Sequence, residues 1–134
     1  MVSNQFNKPK TRDIGQYYEQ QACRFLKRQG LQLIEQNYYG RQGEIDLIMQ
    51  DQQIIVFVEV RYRSRSEQVH PFETITPKKQ LAIQRTAMQF LQQSIWQHHQ
   101  PRFDVIAMTD SSTKHTLPQI LRPKVNIEWL PNAF

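Results

Sequence analysis

Glu44 and Asp46 stand two residues apart, and Glu59, Arg61 and Arg63 follow at alternate positions. Alternate residues of an extended chain point to the same side, so each set shares a face if its segment is a strand. Two carboxylates held side by side repel when ionised. They also form a ready site for Mg2+ or Mn2+, hard cations that take oxygen ligands and keep waters for substrate phosphates. Neighbouring guanidinium groups offer positive charge to a phosphodiester and to the charge that develops as it is cleaved. An acid pair beside cations is what metal-assisted phosphodiester hydrolysis needs. The same residues also suit an edge face neutralised by ion pairs, which adds little stability.

The segments around these residues have to bring the two acids together. Glu44–Met49 reads as a strand, with Ile45, Leu47 and Met49 alternating with Glu44, Asp46 and Ile48. Ile54–Val60 is β-branched and nearly continuous, so it is expected to be central and covered on both faces. The short polar break at Asp51–Gln53 makes the two a hairpin. In an antiparallel pair, opposed residues have a constant index sum. A two-residue loop at Gln52-Gln53 puts Asp46 opposite Glu59, and one at Asp51-Gln52 puts it a diagonal step away. Both place the carboxylates on one face, with β-carbons roughly 5–8 Å apart. A three-residue loop separates them.

The remaining pattern supplies the scaffold. Arg12–Gln29 reads as a helix carrying Ile14, Tyr18, Ala22, Phe25 and Leu26 on one stripe, stopped by Gly30. Leu31–Tyr39 is expected to be a strand turning at Gly40. Arg63–Ile75 reads as an irregular loop. Thr76 caps and Pro77 starts a second helix that runs to about His98, with Ile83, Ala87, Leu91 and Ile95 on one face. Phe103–Met108 reads as another buried strand, Thr109–Pro118 as a loop, and Val125–Trp129 as a last strand or extended tail. The order defines an α/β fold, a central mixed sheet flanked by helices. Met1–Thr11 has no apolar run and is expected to be a flexible tail rather than a secretory signal, ahead of a single domain over 12–134.

Charge and composition narrow the partners. Lys and Arg outnumber Asp and Glu by 17 to 12, a mild bias toward a polyanion. No apolar run is long enough to span a membrane. The lone Cys23 cannot form an internal disulfide, which fits the cytoplasm, and it reads as a packed core residue. His98 and His99 are adjacent on the predicted helix and make a poor metal pair. Lys78 and Lys79 sit in a first helical turn, where the macrodipole disfavours cations but free backbone N–H groups bind phosphate. With Arg61, Arg63 and Arg65 they would form a phosphate-tracking surface, with Phe72 or Tyr62 as stacking groups. Tyr62 shares parity with Val58 and Val60, which favours a core position. Asp104 opens a buried strand, so it needs partners from Arg102 or the backbone and reads as structural.

Several blocks together resemble a known family. Gly43-Glu44-Ile45-Asp46-Leu47-Ile48, Val56-Phe57-Val58-Glu59-Val60-Arg61-Tyr62-Arg63, Lys79, Arg102-Phe103-Asp104-Val105 and the terminal Asn132-Ala133-Phe134 look like the YraN-type uncharacterised protein family over residues 12–134. That family in turn resembles the PD-(D/E)xK nucleases, notably Holliday-junction resolvases. The resemblance implies a restriction-endonuclease-like core and a metal-dependent nuclease-like activity on DNA, more than RNA, of branched or damaged form. It implies a Mg2+ or Mn2+ site at Asp46 and Glu59, supported by Glu19 on the first helix. Folds of this kind often pair into homodimers to cut two strands. One position departs from the motif: Arg61 stands where the nucleases have lysine. An arginine stays charged and binds anions as a fork, so it serves poorly as a base. The departure leaves Lys79 as a replacement for the lysine. It equally leaves a module that binds nucleic acid without cutting it, or a protein-interaction domain on a nuclease scaffold.

Overall fold

The computed structural model describes residues 11–64, 75–110 and 125–134. The polar start of the chain, Arg65, Phe72 and most of the two expected loops lie outside the described residues. Seven elements follow in order: α1 (Thr11–Arg28), β1 (Gln32–Tyr39), β2 (Glu44–Asp51), β3 (Ile54–Ser64), α2 (Pro77–Leu91), β4 (Gln100–Asp110) and β5 (Asn126–Leu130). The strands form one sheet in the order β1-β2-β3-β4-β5. β1, β2 and β3 pair antiparallel, β3 and β4 run parallel with α2 between them in sequence, and β5 returns antiparallel on β4. This is a mixed α/β sheet flanked by two helices, an arrangement consistent with a restriction-endonuclease-like core.

Each helix covers one face. Tyr18, Ala22, Cys23 and Leu26 of α1 pack with Leu47, Met49, Val56, Val58, Ile106 and Met108. Ile83, Ala87, Phe90 and Leu91 of α2 pack with Ile48, Ile55 and Phe57 on the other side. Alternate residues of β3 therefore serve both layers, which is why Ile54–Val60 reads as a continuous apolar run. Cys23 is buried as expected. Tyr62 joins the α1 side and stacks on Tyr18, with ring centroids 3.8 Å apart. α1 ends where expected: Gly30 takes φ 98° while its N–H donates to Lys27 and that of Leu31 donates to Leu26.

The bounds of three elements differ from the sequence reading. β3 continues through Ser64 and β4 spans Gln100–Asp110, because the two pair residue for residue from Ile54↔Gln100 to Ser64↔Asp110. Arg63 therefore stands on a strand, not in a loop. Conversely, α2 stops at Leu91 rather than near His98. Beyond its cap the chain tightens into successive turns, Gln93 N–H to Phe90 O, Trp96 N–H to Gln93 O and His99 N–H to Trp96 O. These turns fold Trp96 back onto Phe90, with centroids 6.2 Å apart, and leave Ile95 66% exposed instead of on the buried face.

Candidate functional site

The hairpin turn settles the register. Asp51 pairs with Ile54 and Leu47 with Val58, so the loop is Gln52-Gln53, with Gln52 at φ 55°. The ladder between β2 and β3 ends at Leu47↔Val58, and the next rung is Asp46 and Glu59. Here the strands part: the Val60 N–H donates to Asp46 Oδ2 at 2.8 Å, a side chain standing in for a backbone partner. β1, whose register shifts earlier between Leu33 and Glu35, is distorted beside this rung without breaking. Between the pairs Gln36↔Leu47 and Tyr38↔Ile45 lies Asn37, whose φ is 53°. Asparagine is among the few residues that tolerate that left-handed conformation. The strict alternation expected over 44–49 fails there, since Ile45 packs on the α2 side while Leu47 and Met49 pack on the α1 side.

The irregular rung gathers the acids. Glu59 is buried at 6% exposure. Its Oε2 lies 3.4 Å from Arg61 Nη2 and 3.7 Å from Lys79 Nζ, yet it has no hydrogen-bond partner. Arg61 Nε is also buried without one. Desolvation pushes the Asp46 carboxyl well above its ordinary range, and a hydrogen bond to Glu59 and its charge push further; the Val60 N–H and Lys79 oppose. Glu19 reaches in from α1. With its side-chain amide oriented to satisfy both neighbours, Asn37 donates to Glu19 Oε1 at 2.9 Å and to Glu44 Oε1 at 3.2 Å. Burial raises Glu19 to about 7, with the charges of Asp46 and Glu44 adding and the Asn37 bond opposing. Glu44 is raised by burial, then by Asp46, against the pull of Lys79.

The expected site residues do not all converge. Glu19, Asp46, Glu59, Arg61 and Lys79 come together with Glu44. Arg63 is half-buried and its Nη1 donates to the Tyr62 carbonyl at 2.8 Å. Lys78 is exposed on the first turn of α2. The phosphate cradle expected at that helix start is largely pre-empted: Pro77 has no N–H, Lys79 N–H donates to Thr76 Oγ1 at 3.2 Å, and Gln80 N–H donates to Thr76 O. Arg65 lies outside the described residues. Asn37 was missed by the sequence reading; its only signal was an αL-tolerant residue just before the Gly40 turn.

Among the described residues, no three His, Cys, Asp or Glu side chains are grouped to hold a metal ion as they stand. The protein offers instead a carboxylate pair, with a buried acceptor left unsatisfied at Glu59 Oε2. Buried polar atoms without partners are rare in native proteins. One or two carboxylates are also the usual protein share of a Mg2+ site, which keeps its remaining positions for water and phosphate. The donor set fits a hard divalent cation on those terms. No helix among the described residues is long and apolar enough to cross a membrane.

Fold and site together define an α/β protein of layered mixed-sheet type with an acid cluster where two central strands part. The chain belongs to the uncharacterised protein family UPF0102, whose family model matches residues 18–108. It is 46% identical over 130 residues to a UPF0102 protein of Coxiella burnetii, covering 92% of this chain and 93% of the relative. It is 40% identical over 129 residues to one from Nitrosococcus oceani, covering 95% and 96%. A UPF0102 protein of Psychromonas ingrahamii is 44% identical over 116 residues, covering 87% and 84%.

Proposed function

We propose that this protein is a metal-dependent nuclease-like protein acting on DNA in the cytoplasm, with branched or damaged DNA as the substrate class. The observation that carries the reading is the Asp46–Glu59 pair at the parting of β2 and β3, with Glu59 Oε2 buried and unsatisfied beside two cations. Asp46 and Glu59 would hold Mg2+ or Mn2+. Bound there, the ion would polarise a phosphodiester and lower the pKa of a water on it. Glu19 and Glu44, tied by Asn37, add negative charge that favours the cation. Lys79 stands next to Glu59 from another element, so it takes the place of the missing motif lysine. Arg61 holds negative charge on the phosphate. The reading includes a homodimer that addresses two strands at once.

Calorimetric titration of Mn2+ and Mg2+, with and without a branched DNA, tests the site. Binding is expected in the wild type and is lost in Asp46→Ala with Glu59→Ala, and the wild type is expected to nick the DNA when Mn2+ is added. Absence of metal binding by the wild type, even with DNA present, sinks the reading.

Arg61 favours a second one, a nucleic-acid-binding module without catalysis. Its guanidinium sits 3.4 Å from Glu59, where a permanent charge neutralises the acid a metal needs. On that reading Arg61→Lys gains metal-dependent cleavage, and Asp46→Ala with Glu59→Ala binds DNA as well as the wild type does.

A further inference from the structure

The acids and cations at the strand fork leave one large feature unused. A groove of about 530 Å3 lies between the β1–β2 turn, which contributes Arg41 and Gln42, and the outer face of α2 with its C-cap, which contribute Gln84, Arg85, Gln89 and Gln92. None of its lining residues is acidic. Its volume is in the range of a genuine ligand cleft rather than a packing flaw.

The two walls are fixed to each other. The turn is closed by the Gly40 N–H donating to Gly43 O at 2.8 Å. A β-carbon at Gly40 would stand 2.8 Å from Thr86 Cγ2 and 2.9 Å from Gln89 Oε1, so turn and helix touch through bare backbone. The Arg41 N–H donates to Gln89 Oε1 at 3.0 Å, and Arg85 Nη1 donates to Gln42 Oε1 at 3.4 Å. Those bonds use the main chain of Arg41 and one arm of Arg85, and both side chains are exposed. The groove therefore presents two cations on a preorganised frame, which reduces the ordering cost of binding. The glutamine amides each donate and accept, so they suit varied polar edges. Met88, 55% exposed, adds a soft apolar surface among them.

The groove shares two elements with the acid site, and the helix turns by about a third of a revolution between them. α2 carries Lys79, which faces Glu59, and Arg85 six residues later, about 9 Å along the axis. On the other wall Arg41 precedes Glu44 by three residues. We propose that this groove binds the sugar-phosphate backbone of a nucleic-acid strand, with Arg41 and Arg85 holding the segment that flanks the phosphodiester at Asp46 and Glu59. Its place beside a scissile phosphate rests on the nuclease-like reading. The grip on the strand does not.

Fluorescence anisotropy with a labelled branched DNA, across a salt series, tests it on Arg41→Gln with Arg85→Gln. The slope of log affinity against log salt is expected to become shallower by about two, one phosphate contact for each arginine. Mn2+ binding and the circular-dichroism spectrum stay as in the wild type. Gln84→Glu, which adds an acid and removes no contact between the walls, is expected to weaken DNA binding as well. An unchanged slope and affinity in the arginine variant overturns the proposal, as does a wild type that binds no DNA at about 50 mM salt. Poly-glutamate bound as tightly through the same two arginines assigns the groove to acidic polypeptide and overturns it too. A wild type that binds no metal but shows the slope change keeps the groove and removes the nuclease reading.

Discussion

Glu19 is the residue whose environment gives the sharpest solution signature. Burial raises its carboxyl from 4.5 to about 7, with Asp46 and Glu44 adding to the push. In the unfolded chain the group ionises near its ordinary value, while the folded protein keeps the proton until near neutrality. Between those values the unfolded state binds fewer protons, so stability falls as pH rises. In EDTA, the melting temperature is expected to drop from pH 5 to pH 8. Glu19→Gln is expected to flatten part of that drop and to melt a few degrees higher than the wild type at pH 8. A wild-type melting temperature that climbs across this window refutes the assignment. Asp46 is raised in the same direction, so the slope does not vanish in the variant. Asp46→Asn separates stability from function at the neighbouring position. Its amide oxygen still accepts from Val60 N–H while the buried charge is gone. In EDTA at pH 8 it is expected to melt no lower than the wild type. Added Mn2+ stabilises the wild type by mass action and leaves the variant unmoved. Acids that weaken the resting fold and strengthen it only with a ligand are the usual trade at a working site.

At the scale of elements, the site depends on α2 being held against the β1–β2 turn. Gly40 is the contact that fixes this. Alanine there would meet Thr86 Cγ2 at 2.8 Å, and Thr86 is fully buried with its hydroxyl donating to Ala82 O at 2.8 Å. The neighbour has no room to yield, so Gly40→Ala is expected to cost about 1–3 kcal/mol by urea denaturation. Thr86→Ser removes the offending methyl and keeps the hydroxyl. A double-mutant cycle is therefore expected to recover most of the loss, and an additive result would place the strain elsewhere. The start of α2 matters for the same reason, since Thr76 caps the turn from which Lys79 reaches Glu59. Every element the sequence pattern proposed is present, because periodicity reports which side of a segment meets the core. The ends were less legible. β3 and β4 outrun their apolar cores because each supplies the other's hydrogen bonds to the last residue. The end of α2 was misread because Ile95 continues the apolar stripe, while Trp96 gains more by turning back onto Phe90.

Across the whole molecule, the acid pair was readable because hairpin parity fixes which faces meet. The parting of the strands was not, since it needs the Asp46 side chain to take the Val60 N–H beside a left-handed Asn37, and each residue looks ordinary alone. Asp104 shows the same limit. Its burial and the help of Arg102 follow from its place at the head of a buried strand, but its full role spans elements distant in sequence. Arg102 donates to both of its oxygens, at 2.9 and 3.0 Å, Trp129 Nε1–H donates at 2.9 Å, and the Asn132 N–H donates at 2.9 Å. Arg102 also pairs with Asp51 at 3.3 Å. One carboxylate thus joins β4 to the edge strand β5 and to the final turn, where Ala133 N–H meets Phe103 O and Phe134 stacks on Phe103. Asp104→Ala leaves Arg102 only its bond to Asp51 and removes the acceptor of two N–H donors, so it is expected to cost about 3 kcal/mol, a large share of a typical domain's stability. An isolated buried pair is replaced by apolar residues at little cost. Here Arg102→Met with Asp104→Leu would still orphan the half-buried Trp129 Nε1–H, worth about 1–3 kcal/mol when unpaired, while the Asn132 N–H sits on an exposed residue that water can reach. The double variant is therefore expected to remain at least about 1 kcal/mol below the wild type in urea denaturation. Full recovery would mean that Asp104 serves Arg102 alone and that the C-terminal strand is held by its packing.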